Sequence, residues 1–142
     1  MTADEIIKQL GMKPHPEGGH YVETFRSPGA QQNGEGRSTG TAIYFVLKAG
    51  ERSHWHKVDA DEIWHFYAGA PLELSMSDDG KSVRRWRLGN DFGVGEQPQI
   101  VVPRHVWQAA RSLGAWTLIG ATVSPGFEFK GFEMAPPGWE PG

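Results

Sequence analysis

Residues 50–69 read GERSHWHKVDADEIWHFYAG, an alternation of polar and aromatic positions interrupted by a turn. Alternate side chains of a strand share a face, so His54 and His56 are expected to point the same way. In the strand that follows, Glu62, Trp64 and Phe66 are expected to share a face. Two imidazoles and a carboxylate converging from neighbouring strands can bind a divalent metal or run acid–base chemistry. A solvated strand decorated with His and Glu is the competing possibility. These groups flank a turn and are followed by inward aromatics, which favours a site.

Working outward, residues 41–48 (TAIYFVLK) form the most apolar segment and are expected to be central. Further strands are expected at 21–26, 62–67, 72–76, 83–88, 100–102, 106–110, 116–123 and 127–132. Asp79-Gly80, Gly89-Asn90, Gly95 and Pro125-Gly126 supply turns between them. At the N-terminal end, residues 2–11 read as one short helix, with Thr2 as N-cap, Glu5 three residues on and Gly11 as the stop. Residues 14–19 (PHPEGG) are expected to form a rigid turn, and residues 28–37 a polar surface loop. No repeat or linker breaks the chain, so residues 1–142 are expected to be a single domain.

Composition supports a β-rich chain. Nineteen Gly, ten Pro and six Trp suit many short strands joined by turns, hence a sandwich or barrel. Fourteen basic against 17 acidic residues give a net charge of −3 without a basic stripe, which argues against nucleic acid or an anionic membrane as partner. No cysteine is present, so disulfides, thiolate metal sites and a Cys nucleophile are excluded. The N-terminus reads as no secretory signal, no window is of transmembrane length, and the expected location is cytoplasmic.

The segment resembles the first motif of the cupin (RmlC-like) superfamily. Anchored on Gly50, the motif's first histidine falls on His56, its glutamate on Glu62 and its closing glycine on Gly69, with Val58 at the second histidine position. The second motif looks like Pro103-Arg104-His105-Val106-Trp107-Gln108, with His105 at the glycine place and Gln108 at the metal-binding histidine place. More specifically, the chain resembles the cupin-5 group of small cupins. That likeness runs through PHPEGG at 14–19, ETFRS at 23–27, AIYF at 42–45, DEIWHFY at 61–67, GEQPQ at 95–99, WQAA at 107–110 and PGFEF at 125–129. It implies an all-β double-stranded β-helix, a jelly-roll barrel with a short N-terminal helix.

Four-ligand cupin sites use three His and one Glu, and here two of those positions are Val58 and Gln108. Valine offers no electron pair, and a glutamine carbonyl is a poor replacement for imidazole at a transition metal. If His54 supplies the second imidazole, a bulge must absorb the longer spacing from His56 to Glu62. The expectation is no cofactor and no tightly bound metal, with His54, His56 and Glu62 as ligands of any weakly held divalent ion.

By resemblance to metal-free deoxysugar epimerases, His56 and Glu62 become the acid–base pair of an epimerase- or isomerase-type enzyme. In that picture Gln108 donates to a developing oxyanion, and Tyr44 and Trp64 supply flat walls for a sugar-like or polar ring compound. Phe66 reads as barrel core. Pro14 and Pro16 stiffen a turn presenting His15 and Glu17 at the pocket rim, and the resemblance implies that Glu17 and Arg26 act across a homodimer interface. Arg26 paired with Glu17 or Glu23 is the plainer alternative. A non-catalytic ligand-binding or sensor protein and a divalent-metal enzyme are the competing functions. His65 is expected to face away from Glu62 as a structural group. His20, His105, Trp55 and Trp139 read as exposed or structural, and Trp107 as packed between sheets. A homodimer is expected because open sheet edges invite pairing.

Overall fold

Both faces of residues 41–48 are covered in the computed structural model, which describes residues 1–142; that is why this stretch is apolar throughout. The elements are α1 (Ala3–Leu10), β1 (Lys13–Pro14), β2 (His20–Arg26), β3 (Thr41–Lys48), β4 (Arg52–Val58), β5 (Asp61–Gly69), β6 (Leu72–Ser77), β7 (Arg84–Leu88), β8 (Gln99–Val102), β9 (Trp107–Ser112), β10 (Trp116–Ser124) and β11 (Phe132–Met134). They form two antiparallel sheets, one in the order β1-β2-β3-β10-β5-β8 and the other β11-β4-β9-β6-β7. Inward side chains of both sheets, among them Phe45, Trp64, Leu72, Leu74 and Ile119, make the main core of a jelly-roll sandwich.

The helix begins and ends as its sequence dictates. Thr2 Oγ1 accepts from Glu5 N–H at 3.2 Å, Glu5 Oε1 accepts from Thr2 N–H at 3.1 Å, and Gly11 closes the last turn with φ 66°. Ile6 then packs with Met12 and Val46 on the outer side of β3, with Tyr44 against the same cluster.

Two expectations need correction. Residues 127–132 are not one strand: Phe129–Gly131 is a single 3-10 turn, and β11 starts only at Phe132. A regular strand would send alternate side chains outward, whereas Phe127, Phe129 and Phe132 all turn inward and touch edge-on, with ring centroids 4.9–6.1 Å apart. Trp107 does not pack between the sheets. It lies on the outer side of β9, 4.8 Å from the Trp139 ring, where the C-terminal tail covers it. Trp55 belongs to this outer cluster and is buried.

His105 takes up the backbone that a glycine would occupy, at φ 67°, and its N–H donates to Val58 O at 2.8 Å. This ties the β8–β9 turn to the end of β4, beside the candidate site.

Candidate functional site

A cavity of about 250 Å³ opens where β2, β3, β4, β5 and β10 converge beneath the 127–132 segment. His56 reaches it through an irregularity in β4. Ser53 pairs with Ala110 and His56 with Gln108, so His54 and Trp55 together oppose the single residue Ala109. The bulge brings Ser53 and His56, three residues apart, to the inner face. It sends the His54 ring to the other face, where Nε2 meets Pro136 O at 3.0 Å. His54 therefore does not share a face with His56, contrary to expectation. Its backbone serves the site instead: the His54 N–H donates to Glu17 O at 2.7 Å, and His54 O accepts from His56 Nδ1 at 2.7 Å.

The PHPEGG turn delivers a second pair. His15 N–H bonds to Gly19 O and Gly18 N–H to His15 O, both at 3.0 Å. A Cβ on Gly18 would collide with Arg52 O, and one on Gly19 would lie 2.7 Å from Val46 O, so only glycine lets the turn sit this close to β3 and β4. His15 and Glu17 consequently lie on the cavity floor rather than at its rim, at 8% and 9% exposure, beside His56 at 2% and Glu62 at 8%. Glu17 approaches His15 Nδ1 at 3.3 Å and His56 Nε2 at 3.6 Å, and its carboxylate accepts a hydrogen bond from the Ser53 hydroxyl.

Glu62 is oriented from behind. Trp64 Nε1–H donates to Gln108 Oε1 at 2.9 Å, and Gln108 Nε2–H donates to Glu62 Oε1 at 2.8 Å, a chain that crosses between the two sheets. Neither Trp64 nor Gln108 lines the cavity, so the wall role expected of Trp64 and the oxyanion role expected of Gln108 give way to positioning. Tyr44 is also displaced from its expected wall. It points to the outer side of β3, while Thr41 and Ile43 face the cavity. Phe66 packs partly buried against the core. His65 lies on the outer side of its sheet between Thr122 Oγ1 at 2.9 Å and Gln99 Nε2 at 3.2 Å.

Burial governs the charge of the floor. It pushes the Glu17 carboxyl up to about 8, opposed by the Ser53 hydrogen bond. It raises Glu62 to about 7, against the pull of His56 and the Gln108 bond and with the help of Glu17. Burial also moves His15 down to about 4 and lowers His56, the latter opposed by Glu62. Near pH 7 the contacts of Glu17 with the two imidazoles therefore join neutral groups, not ion pairs.

The mouth is different. Glu23 pairs with Ile43 and Phe25 with Ala42, so a bulge at Thr24 turns Glu23 and Arg26 to the same side. Arg26 Nε lies 2.7 Å from Glu23 Oε1, and its Nη2 donates to Phe127 O at 3.1 Å, with no contact to Glu17. Arg37 clasps Asp59 at 2.7 Å and bonds Gly126 O at 2.8 Å, holding the covering segment. Sequence reasoning missed Ser53, Tyr21 and the three covering phenylalanines; only the inward alternation of Tyr21 in β2 was a signal.

Residues 4–135 match the family described as cupin superfamily (DUF985). The chain belongs to the cupin superfamily. This cupin is similar to protein SO0799 from Shewanella oneidensis, with 38% identity, a TM-score of 0.89 and coverage of 95% of this chain and 85% of that one. It is also similar to a hypothetical protein from Leishmania major, with 32% identity, a TM-score of 0.85 and coverage of 95% and 88%. The uncharacterized protein YML079W of Saccharomyces cerevisiae is 29% identical over 148 residues, covering 91% of this chain and 73% of that protein. No helix is long and apolar enough to cross a membrane.

The donor set of this cupin does not fit the four-ligand metal site of its superfamily. Val58 lines the cavity without a donor atom, Gln108 is engaged by Trp64 and Glu62, and the His54 ring lies on the far face. No three His, Cys, Asp or Glu residues are grouped to hold a metal ion.

Proposed function

We propose that this cupin binds a small molecule in the cavity and isomerises or epimerises it by metal-independent acid–base chemistry, with His56 as base and Glu62 as acid. The observation that carries the proposal is the convergence of these two buried groups on one cavity, each with one atom already committed to a fixed partner. Because a carbonyl can only accept, the His56 Nδ1 contact with His54 O places the proton on Nδ1 and the lone pair on Nε2. Nε2 is then free to take a proton from a carbon beside a substrate carbonyl.

Glu62 retains its proton up to about pH 7 and can deliver it to the carbonyl oxygen as that oxygen gains charge. The step leaves an imidazolium and a carboxylate, each of which favours the charged form of the other. Return of the proton from His56 to the opposite face of the enol once the intermediate has turned in the cavity, or to the neighbouring carbon, completes the change. An enol hydroxyl gives its proton back to Glu62 as the carbonyl reforms, which restores both groups. Trp64 and Gln108 hold Glu62 in place, and the covering phenylalanines give the cavity an apolar wall. A cytoplasmic location and a homodimer belong to the same proposal, the latter because β8 and β7 end their sheets as open edges.

The test is solvent deuterium incorporation into small hydroxy-carbonyl compounds, followed by proton NMR. Exchange that depends on both His56 and Glu62 is expected. A compound that binds and returns unchanged and undeuterated after long incubation would make the protein a binding or sensor module instead.

A further inference from the structure

The outer face of the second sheet carries a row of guanidiniums that the cavity does not use. Leu72, Leu74, Trp86 and Ala110 pack on the core, so the residues alternating with them face outward. Across four neighbouring strands Arg52 stands opposite Arg111, Arg111 opposite Glu73, and Glu73 opposite Arg87. Two residues along, Ser75 stands between Ala109 and Arg85, which sets two small side chains among long ones. A groove of about 110 Å³ opens over Ser75. Arg52, Arg85, Trp55 and Val83 wall it, and Glu140 of the C-terminal tail lies at its side.

Ser75 is only 7% exposed, yet its hydroxyl has no hydrogen-bond partner in the protein and turns into the groove. The flanking guanidiniums are underused as well. Arg85 Nε stands 3.8 Å from Glu73 and Arg52 Nη1 3.8 Å from Glu140, both beyond hydrogen-bond length. Glu73 is instead taken up by Arg111, at 3.0 Å. Four arginines, 52, 85, 87 and 111, thus face the two carboxylates Glu73 and Glu140, a surplus of two positive charges.

We propose that this groove binds a phosphoryl dianion, with Arg52 and Arg85 clasping its oxygens, Ser75 donating from the base and Glu140 as the carboxylate it displaces. The planar fork of a guanidinium matches phosphate oxygens in pairs, and a phosphate near neutral pH carries close to the two charges the groove leaves uncompensated. The volume equals that of roughly three to four waters, room for one phosphoryl group and not for a chain of them. Glu140 has a side chain 68% exposed, so its release costs little. A carboxylate ligand brings one charge and two oxygens, and satisfies one guanidinium while leaving the other. The groove lies on the far side of β4 from His56 and is separate from the cavity.

Phosphorus NMR and titration calorimetry on the unmodified protein test this in chloride buffer at about pH 7.5, where phosphate is largely dianionic. Inorganic phosphate is expected to bind with a dissociation constant of about 1 mM or tighter, and acetate at least about tenfold more weakly. Phenyl phosphate separates the sources of the group: tighter binding than phosphate identifies an ester, and equal or weaker binding the free ion. Arg52→Gln and Arg85→Gln are each expected to weaken phosphate binding at least about fivefold, and Ser75→Ala to weaken it measurably. Glu140→Gln removes the competing carboxylate and is expected to tighten binding about two- to fivefold. Arg84→Gln takes the same charge from the other side of β7, where Arg84 meets Asp78, and is expected to change nothing. Absence of phosphate binding, or acetate binding as tightly, overturns the proposal on the unmodified protein alone. So does a loss in Arg84→Gln equal to that in Arg85→Gln, or a Glu140→Gln variant that binds no more tightly.

Discussion

The floor and the mouth of the cavity use the same residue types and reach opposite electrostatic states. On the floor, Glu17 lies against His15 and His56, and burial keeps all three neutral near pH 7. At the mouth, Glu23 lies against Arg26 with side chains 39% and 46% exposed, and water and the permanently charged guanidinium make that contact an ion pair. An acid beside a base is therefore a proton holder or a salt bridge according to depth. The strands achieve both placements by the same device, a bulge that brings residues i and i+3 to one face: Ser53 with His56, and Glu23 with Arg26.

The sharpest attempt to break this contrast is on the floor. His56→Gln and Glu62→Gln are each expected to lower the rate of deuterium exchange by roughly 10²- to 10⁴-fold while leaving the melting temperature nearly unchanged. A folded variant with normal exchange would reduce the floor to packing. Next comes Trp64→Phe, which leaves the Gln108 oxygen without its donor in a buried site. Urea unfolding is expected to register a loss of about 2–3 kcal/mol, together with a weakened exchange rate as Glu62 loosens.

The pH dependence of stability follows. Glu17 titrates near 4.5 when unfolded and about 8 when folded. The fold keeps a proton that the unfolded chain releases, so this contribution is complete below pH 4.5 and is lost as the pH rises to about 8. His15 runs the other way, from 6.5 unfolded to about 4 folded, and its contribution is lost as the pH falls through that range. Glu62, from 4.5 unfolded to about 7 folded, adds a slope of the same sign as Glu17. His15 therefore offsets only one of the two between pH 4.5 and 6.5, and from pH 6.5 to 8 Glu17 alone contributes a fall of about 2 kcal/mol. Denaturation at the two pH values is expected to show it, and Glu17→Gln to remove that part. The smallest effect belongs to the mouth: Arg26→Ala is expected to cost less than about 1 kcal/mol, since exposed pairs contribute little. A larger loss there would erase the distinction between floor and mouth.

Much of the fold is legible in the chain because its signals are local. The Thr2/Glu5 capping box, the Gly11 stop and the apolar stretch at 41–48 all appear where the pattern places them. Glu62 is legible because the first half of β5 alternates without a break, putting Glu62 and Trp64 inward and Ile63 and His65 outward. Tyr44 is not, because both sides of β3 are buried, one by the core and one by α1, so polarity no longer marks the inner face.

By itself the sequence determined a β-rich sandwich or barrel and the presence of His56 and Glu62 on strands beside a turn, since strand periodicity and turn chemistry act over a few residues, while the jelly roll was what its likeness to the cupins implied. Only the tertiary structure decided that His54 faces outward, that His15 and Glu17 descend to the floor, and that Gln108 steadies Glu62. A bulge inverts every side chain beyond it yet leaves no mark in composition, and the charge of a carboxyl depends on the water that distant segments remove.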